Sequence, residues 1–99
     1  MADSTNQSLF VDATNSYSDG HFPGHPIVPA AAQVEWIMKQ LEAQQPQIRS
    51  WKIKQLKMIR ELKPEREVNI RTGPHKQGWL GKVEDSDGPY AELFLVPHE

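Results

Sequence analysis

The chain has no cysteine, which excludes a disulfide framework and a thiolate nucleophile and leaves only histidine and carboxylate side chains to hold a metal. It also has no long apolar run, so no window approaches the roughly 20 residues that cross a bilayer. The first stretch, Met1-Ala2-Asp3-Ser4-Thr5-Asn6-Gln7-Ser8, has neither basic residues nor an apolar segment, and a soluble cytoplasmic protein is the expectation. Apolar residues are few, 37% of 99, and eight are proline. That supports one domain with a thin core, for which a dimer sharing buried surface is expected. With a net charge of -2, only eight aromatic residues and no recognisable binding motif, a nucleic-acid role is not expected.

What charge there is falls unevenly. Seven of the eleven Lys/Arg residues lie between Arg49 and Arg66, against Glu61 and Glu65 alone. Such a patch suits an acidic or phosphate-bearing partner, and equally a lysine-protected strand edge.

Residues 1–7 read as a disordered tail and 8–99 as the folded domain. Ser8 to Ala13 reads as a strand. Gly20-His21-Phe22-Pro23-Gly24-His25-Pro26-Ile27-Val28-Pro29 follows the turn-rich stretch from Thr14, and its prolines and glycines exclude both helix and central strand. Pro29 suits the first turn of a helix, which should run to about Gln44 before Pro46 stops it. Its apolar residues cover most of the circumference, predicting a helix with sheet wrapped around it. Strands are predicted at Ser50–Leu62, Glu67–Thr72, Trp79–Glu84 and Ala91–Val96, with a break at Gly73-Pro74. In the first of these the apolar residues change phase, from Trp51 and Ile53 to Leu56 and Met58, which predicts a bulge near Gln55. The class is α+β, an antiparallel sheet of about five strands curled around one long helix.

Glu35 is a polar residue among the apolar helix positions, with Ala31, Ala32, Met38 and Lys39 one turn away. Helical spacing leaves two readings: a desolvated carboxyl with raised pKa, suited to donate a proton, or a surface pair with Lys39. His21 likewise reads as a general base or as a hydrogen-bonded loop residue. His21, His25 and Glu35 are a conceivable metal set, but Pro23 and Pro26 prevent the helical spacing that makes such histidines converge, and no metal is expected.

The whole stretch Gly20 to Pro29 followed by Glu35 resembles the signature of the FabA/FabZ-type 3-hydroxyacyl-[acyl-carrier-protein] dehydratases. Lys57 through Ile70, including Leu62-Lys63-Pro64, and Asp87-Gly88 to Leu95 resemble later parts of the same family. Gln33-Val34-Glu35-Trp36 resembles the Gln-Leu-Asp-Trp form found in the ApeI-like dehydratases of aryl polyene biosynthesis. The resemblance implies a hot-dog fold and a dimer, homomeric or with a related subunit, in which the histidine and carboxylate of one site come from different chains. It implies that a (3R)-hydroxyacyl thioester on acyl carrier protein loses water to give the trans-2-enoyl product, in fatty acid or polyene synthesis. His21 would be the base, Glu35 the acid, and the backbone amides at Ala30 and Ala31 the oxyanion donors, with no cofactor. Tyr17, Phe22, Ile27, Val28 and Trp36 would wall the acyl tunnel, and Lys57, Arg60 and Lys63 would contact the carrier. The chain departs from the family at Ala30, where relatives have glycine.

Two other readings remain: a hot-dog acyl thioesterase, whose families generally lack the loop histidine motif, and a catalytically silent acyl-binding subunit, against which the presence of both His21 and Glu35 argues.

Overall fold

A computed structural model of the chain describes residues 5–11 and 27–98. Its elements are β1 (Thr5–Val11), α1 (Ala30–Gln44), β2 (Trp51–Met58), β3 (Arg66–His75), β4 (Gly78–Asp85) and β5 (Gly88–Pro97). The five strands form one antiparallel sheet in the order β1-β3-β4-β5-β2. The helix starts directly after Pro29 and ends one residue before Gln45, as the two prolines predict.

The core lies between α1 and the sheet, where Ile37 and Leu41 meet Val68, Ile70, Val83, Leu93 and Leu95. The helix comes close to the sheet at Gly81, where a Cβ would stand 2.3 Å from Ile37 Cγ2. Glycine here is a packing requirement, because the helix sits on bare backbone. At the other end of the helix a polar network ties α1 to the sheet. Gln40 Nε2 donates to Ile70 O at 2.9 Å and to Thr72 Oγ1 at 3.1 Å, and the Thr72 hydroxyl donates to Gln44 Oε1 at 2.9 Å.

The α+β arrangement and the bulge agree with the sequence. The register of β2 on β5 shifts between Ile53 and Gln55, so Ile53 lies opposite Leu95 and Leu56 opposite Leu93, all toward the helix side. Three expectations are corrected. Thr5–Gln7, expected in the disordered tail, belong to β1, because Thr5 pairs with Thr72 and its hydroxyl takes a 2.8 Å bond from Gln40. β3 continues through Gly73-Pro74. Pro74 lies beyond Thr72, the last β3 residue paired with β1, so its missing N–H removes no bond to that strand. β2 ends at Met58, after which Leu62 makes a single bridge to Val28.

The helix is not enclosed all round. It lies over β3, β4 and β5, and Ala31, Glu35, Lys39, Glu42 and Ala43 are exposed. β2 is the sheet's edge, and its helix-side residues are left without cover.

A buried-edge cluster closes the β4–β5 turn. Asp85 pairs with Arg60 at 2.8 Å, accepts from the Asp87 amide at 2.9 Å, and accepts from the Tyr90 hydroxyl. The Tyr90 hydroxyl, with Arg60 and the Asp87 amide, holds the Asp85 carboxyl at about 2, below its ordinary 3.8. A depressed carboxylate pKa stabilises the fold above the unfolded value and is lost as pH falls toward the folded one. Urea resistance should therefore drop between pH 3.8 and about 2, and Asp85→Asn should flatten that part of the profile in a pH series of urea denaturation.

Candidate functional site at the start of the helix

Val28 donates its amide to Leu62 O at 2.7 Å, which pins the strand-like segment before α1 against the chain following β2. Between them lies a cavity of about 450 Å³, lined mainly by apolar residues including Ile27, Val28, Pro29, Met58 and Ile59, with Ala30 and Gln33 from the helix and Arg60 at its wall.

The helix presents its N-terminus to this cavity. Pro29 is extended (φ -70°, ψ 159°), provides no side-chain cap, and the first turn holds no acidic residue. The first-turn amides of an α-helix have no acceptor within the helix, so the Ala30 and Ala31 N–H groups and the positive end of the dipole are available to a developing negative charge. Ala30 is half-buried and lines the cavity.

Helical geometry separates the candidate residues by face. Gln33, Ile37 and Leu41 form the buried stripe, and Gln33 is only 1% exposed. Its Nε2 donates to Val28 O at 3.4 Å, while Oε1 has no partner among the described residues. The polar residue inside the stripe is thus Gln33, four residues before Ile37, and its spacing was the available signal. Glu35 lies on the exposed flank, so the desolvated carboxyl expected from its neighbours is not present in the single chain. The alternative is absent too: among the described residues the ion pairs are Arg60–Asp85, Arg71–Glu84 and Lys82–Glu92, and Glu35 and Lys39 are in none of them.

His21, Tyr17 and Phe22 lie outside the described residues. Of the other tunnel candidates, Ile27 and Val28 line the cavity, whereas Trp36 packs half-buried against the core. Of the three carrier contacts, Lys57 and Lys63 are exposed. Arg60 is turned inward: beyond its pair with Asp85 it donates to Gly88 O at 2.7 Å, and its guanidinium carbon lies 3.9 Å from the Tyr90 ring centroid. The hydrogen bond to Asp85 raises its pKa, and its charge is largely matched within the fold. The sequence could not show this, because Arg60 and Asp85 are brought together only by β2 and β5 pairing.

Among the described residues no helix is long and apolar enough to cross a membrane. The family model of the ApeI-like proteins, described as the ApeI dehydratase, matches residues 2–84. No protein with a curated description matches the sequence. Among solved structures, the chain is similar to the dehydratase heterocomplex ApeI:P from Xenorhabdus doucetiae, at 21% identity and TM-score 0.79, covering 94% of this chain and 85% of that one. It is also similar to an uncharacterized protein from Erwinia carotovora subsp. atroseptica, at 23% identity and TM-score 0.73, over 95% of this chain and 83% of that one. The fold is the hot-dog arrangement, with one helix and a five-stranded antiparallel sheet among the described residues.

Proposed function

The chain belongs to the ApeI-like family of dehydratases, and on that premise we propose that it converts a (3R)-hydroxyacyl thioester on acyl carrier protein to the trans-2-enoyl thioester. The observation that carries this reading is the uncapped start of α1 opening on an apolar cavity, with a free carboxylate, Glu35, on the same helix. In the reaction His21 takes the proton from the carbon next to the thioester carbonyl, and Glu35 gives a proton to the departing 3-hydroxyl. The Cα–H and C–O bonds break, the carbon–carbon double bond forms, and water leaves. Negative charge on the thioester oxygen is met by the amides at Ala30 and Ala31, donors already fixed by the helix. The chemistry calls for no cofactor.

Glu35 gains the desolvation that suits a general acid when a second hot-dog subunit covers its flank of the helix. Val34 and Met38, half-buried beside that flank, leave part of their apolar surface open to such a subunit. The similar structure from Xenorhabdus doucetiae is itself a heterocomplex, which favours such a partner here. Lys57 and Lys63, exposed after α1, receive the acidic carrier protein.

The test follows one 3-hydroxyacyl-carrier substrate by enoyl absorbance and by free thiol. Enoyl product without thiol is expected. Thiol release would make the protein a thioesterase, and carrier binding with no turnover in the presence of its partner subunit would make it a silent acyl-binding chain. Reversing the charge of Lys57 and Lys63 together should raise KM at low salt and leave kcat nearly unchanged, with the difference shrinking as salt is added. An unchanged KM would remove these lysines from the carrier surface.

A further inference from the structure

The cavity at the start of α1 is lined mainly by apolar residues, yet one member of its wall is an amide. Gln33 stands in phase with Ile37 and Leu41 on the buried stripe and is 1% exposed. An apolar side chain of similar size would fill that space and leave no polar atom to satisfy. The Oε1 of Gln33 is buried and accepts no hydrogen bond among the described residues. Buried side-chain acceptors are nearly always paired, and one left open destabilises the fold. Arg60, a donor in the same wall, does not serve it, because the guanidinium gives its bonds to Asp85 Oδ1, Gly88 O and Pro89 O. The amide is also lightly held. Nε2 donates to Val28 O at 3.4 Å, long for an N–H···O bond, and the terminal torsion of a glutamine is soft, so the oxygen can turn toward the cavity. An open acceptor in an apolar wall calls for a ligand with a hydroxyl or N–H donor.

Position narrows the donor. Ala30 and Gln33 are three residues apart and share a face of the first turn. A thioester whose oxygen meets the Ala30 amide has its next carbons beside Gln33, and the donor those carbons carry in the reaction above is the 3-hydroxyl. The enoyl product has lost it.

We propose that Gln33 is a specificity-determining residue, whose Oε1 accepts a hydrogen bond from the 3-hydroxyl of the substrate and is left open again by the product. This rests on the reading above that the cavity takes a 3-hydroxyacyl thioester. With its hydrogen directed to Gln33, the hydroxyl keeps an oxygen lone pair free for the proton from Glu35, and the bond to Gln33 leaves with the water. A site built to pair a hydroxyl rejects the analogue without one, because its own polar group is then stranded. The unpaired acceptor of the empty chain thus favours binding of substrate over retention of product.

The test titrates the 3-hydroxyoctanoyl and octanoyl thioesters of pantetheine, by calorimetry, into the full chain carrying His21→Ala, which stops turnover and preserves the hydroxyl. This parent should bind the hydroxylated thioester about two- to tenfold more tightly, the scale of one neutral hydrogen bond. Adding Gln33→Met, close in size, should abolish the preference and leave octanoyl binding unchanged or tighter. Adding Gln33→Glu instead, which keeps an acceptor oxygen in either protonation state, should retain the preference. In urea denaturation Gln33→Met should be at least as stable as its parent, since it removes an unpaired buried group. Equal binding of the two thioesters by the parent would overturn the proposal. So would an equal loss of both in Gln33→Met, loss of the preference in Gln33→Glu, or a Gln33→Met chain markedly less stable than its parent. The dehydratase reading is judged separately: enoyl formation by wild type without a hydroxyl preference in binding defeats the role of Gln33 and leaves the reaction, whereas a preference that Gln33→Met abolishes, in a protein whose wild type makes no enoyl product, does the reverse.

Discussion

Replacing Glu35 by glutamine should lower the rate of enoyl formation by about two to four powers of ten, the usual contribution of a positioned proton donor. Glutamine keeps the size and polarity of the side chain and removes only the transferable proton. Because Glu35 is exposed and in no ion pair among the described residues, the isolated chain should keep its stability to within about 0.5 kcal/mol, as surface substitutions do. Enoyl absorbance gives the rate and urea denaturation the stability. His21→Ala should cause a loss of similar size. Since one site draws the two groups from different subunits in the proposed assembly, mixing the two variants tests the arrangement wherever two copies of this chain pair. A mixed dimer holding one intact site should recover activity that neither variant has alone. Full turnover by either single variant would defeat the acid/base pair.

The second large effect is structural. Gly81→Ala would place a methyl 2.3 Å from Ile37 Cγ2 and 3.3 Å from both Cβ and Cγ1 of the same side chain. Ile37 cannot swing away, because it is β-branched and fully buried on the helix. The helix has to lift from the sheet, at a cost of about 1–3 kcal/mol, the usual range for overpacking a core. Gly81→Val should prevent stable folding in a domain whose total stability is of order 5–15 kcal/mol. The double-variant cycle with Ile37→Ala separates this clash from a loss of backbone freedom. Removing the isoleucine branches costs about 2–5 kcal/mol by itself. On that background the added methyl at position 81 should be nearly neutral. Additive losses in urea denaturation would show that the contact is not what makes glycine necessary there.

The sequence made regular structure legible where local chemistry dominates. Pro29 and Pro46 bound the helix, and the phase change between Ile53 and Leu56 located the bulge, because each acts over a few residues. The errors fall where distant parts of the chain decide. Pro74 reads as a break until it is known that the described pairing of β3 with β1 ends at Thr72. Arg60 reads as a free surface charge until the β4–β5 hairpin brings Asp85 and Tyr90 beneath it. The candidate site divides in the same way. The motif from Gly20 to Glu35 identified the family, and its Ile27–Ala30 end does line a cavity. Helical spacing left the environment of Glu35 open, because counting apolar neighbours one turn away does not tell which face of a helix the sheet covers, and in the single chain Glu35 is exposed. Gln33, in phase with Ile37 and Leu41, was the better marker of the buried face. Gly81 carried no local signal at all, since its partner lies in another element.

The strand order also governs how the chain is assembled during synthesis. β1 is made before the other described strands, yet its neighbour among them in the sheet is β3, and Thr5 waits for Thr72. At about 5–20 residues per second, those intervening residues take roughly 3–13 seconds to emerge. β2 waits as well, because its partner β5 follows both β3 and β4 in the chain. The β3-β4-β5 meander is the one part of the described sheet built from consecutive neighbours, so it is the natural nucleus, and it is completed only once β5 has been made. Leu9, Phe10 and the apolar residues of β2 remain open to chaperones or to neighbouring nascent chains until then, and a ribosome stalled before β5 would release a chain with no way to complete its sheet.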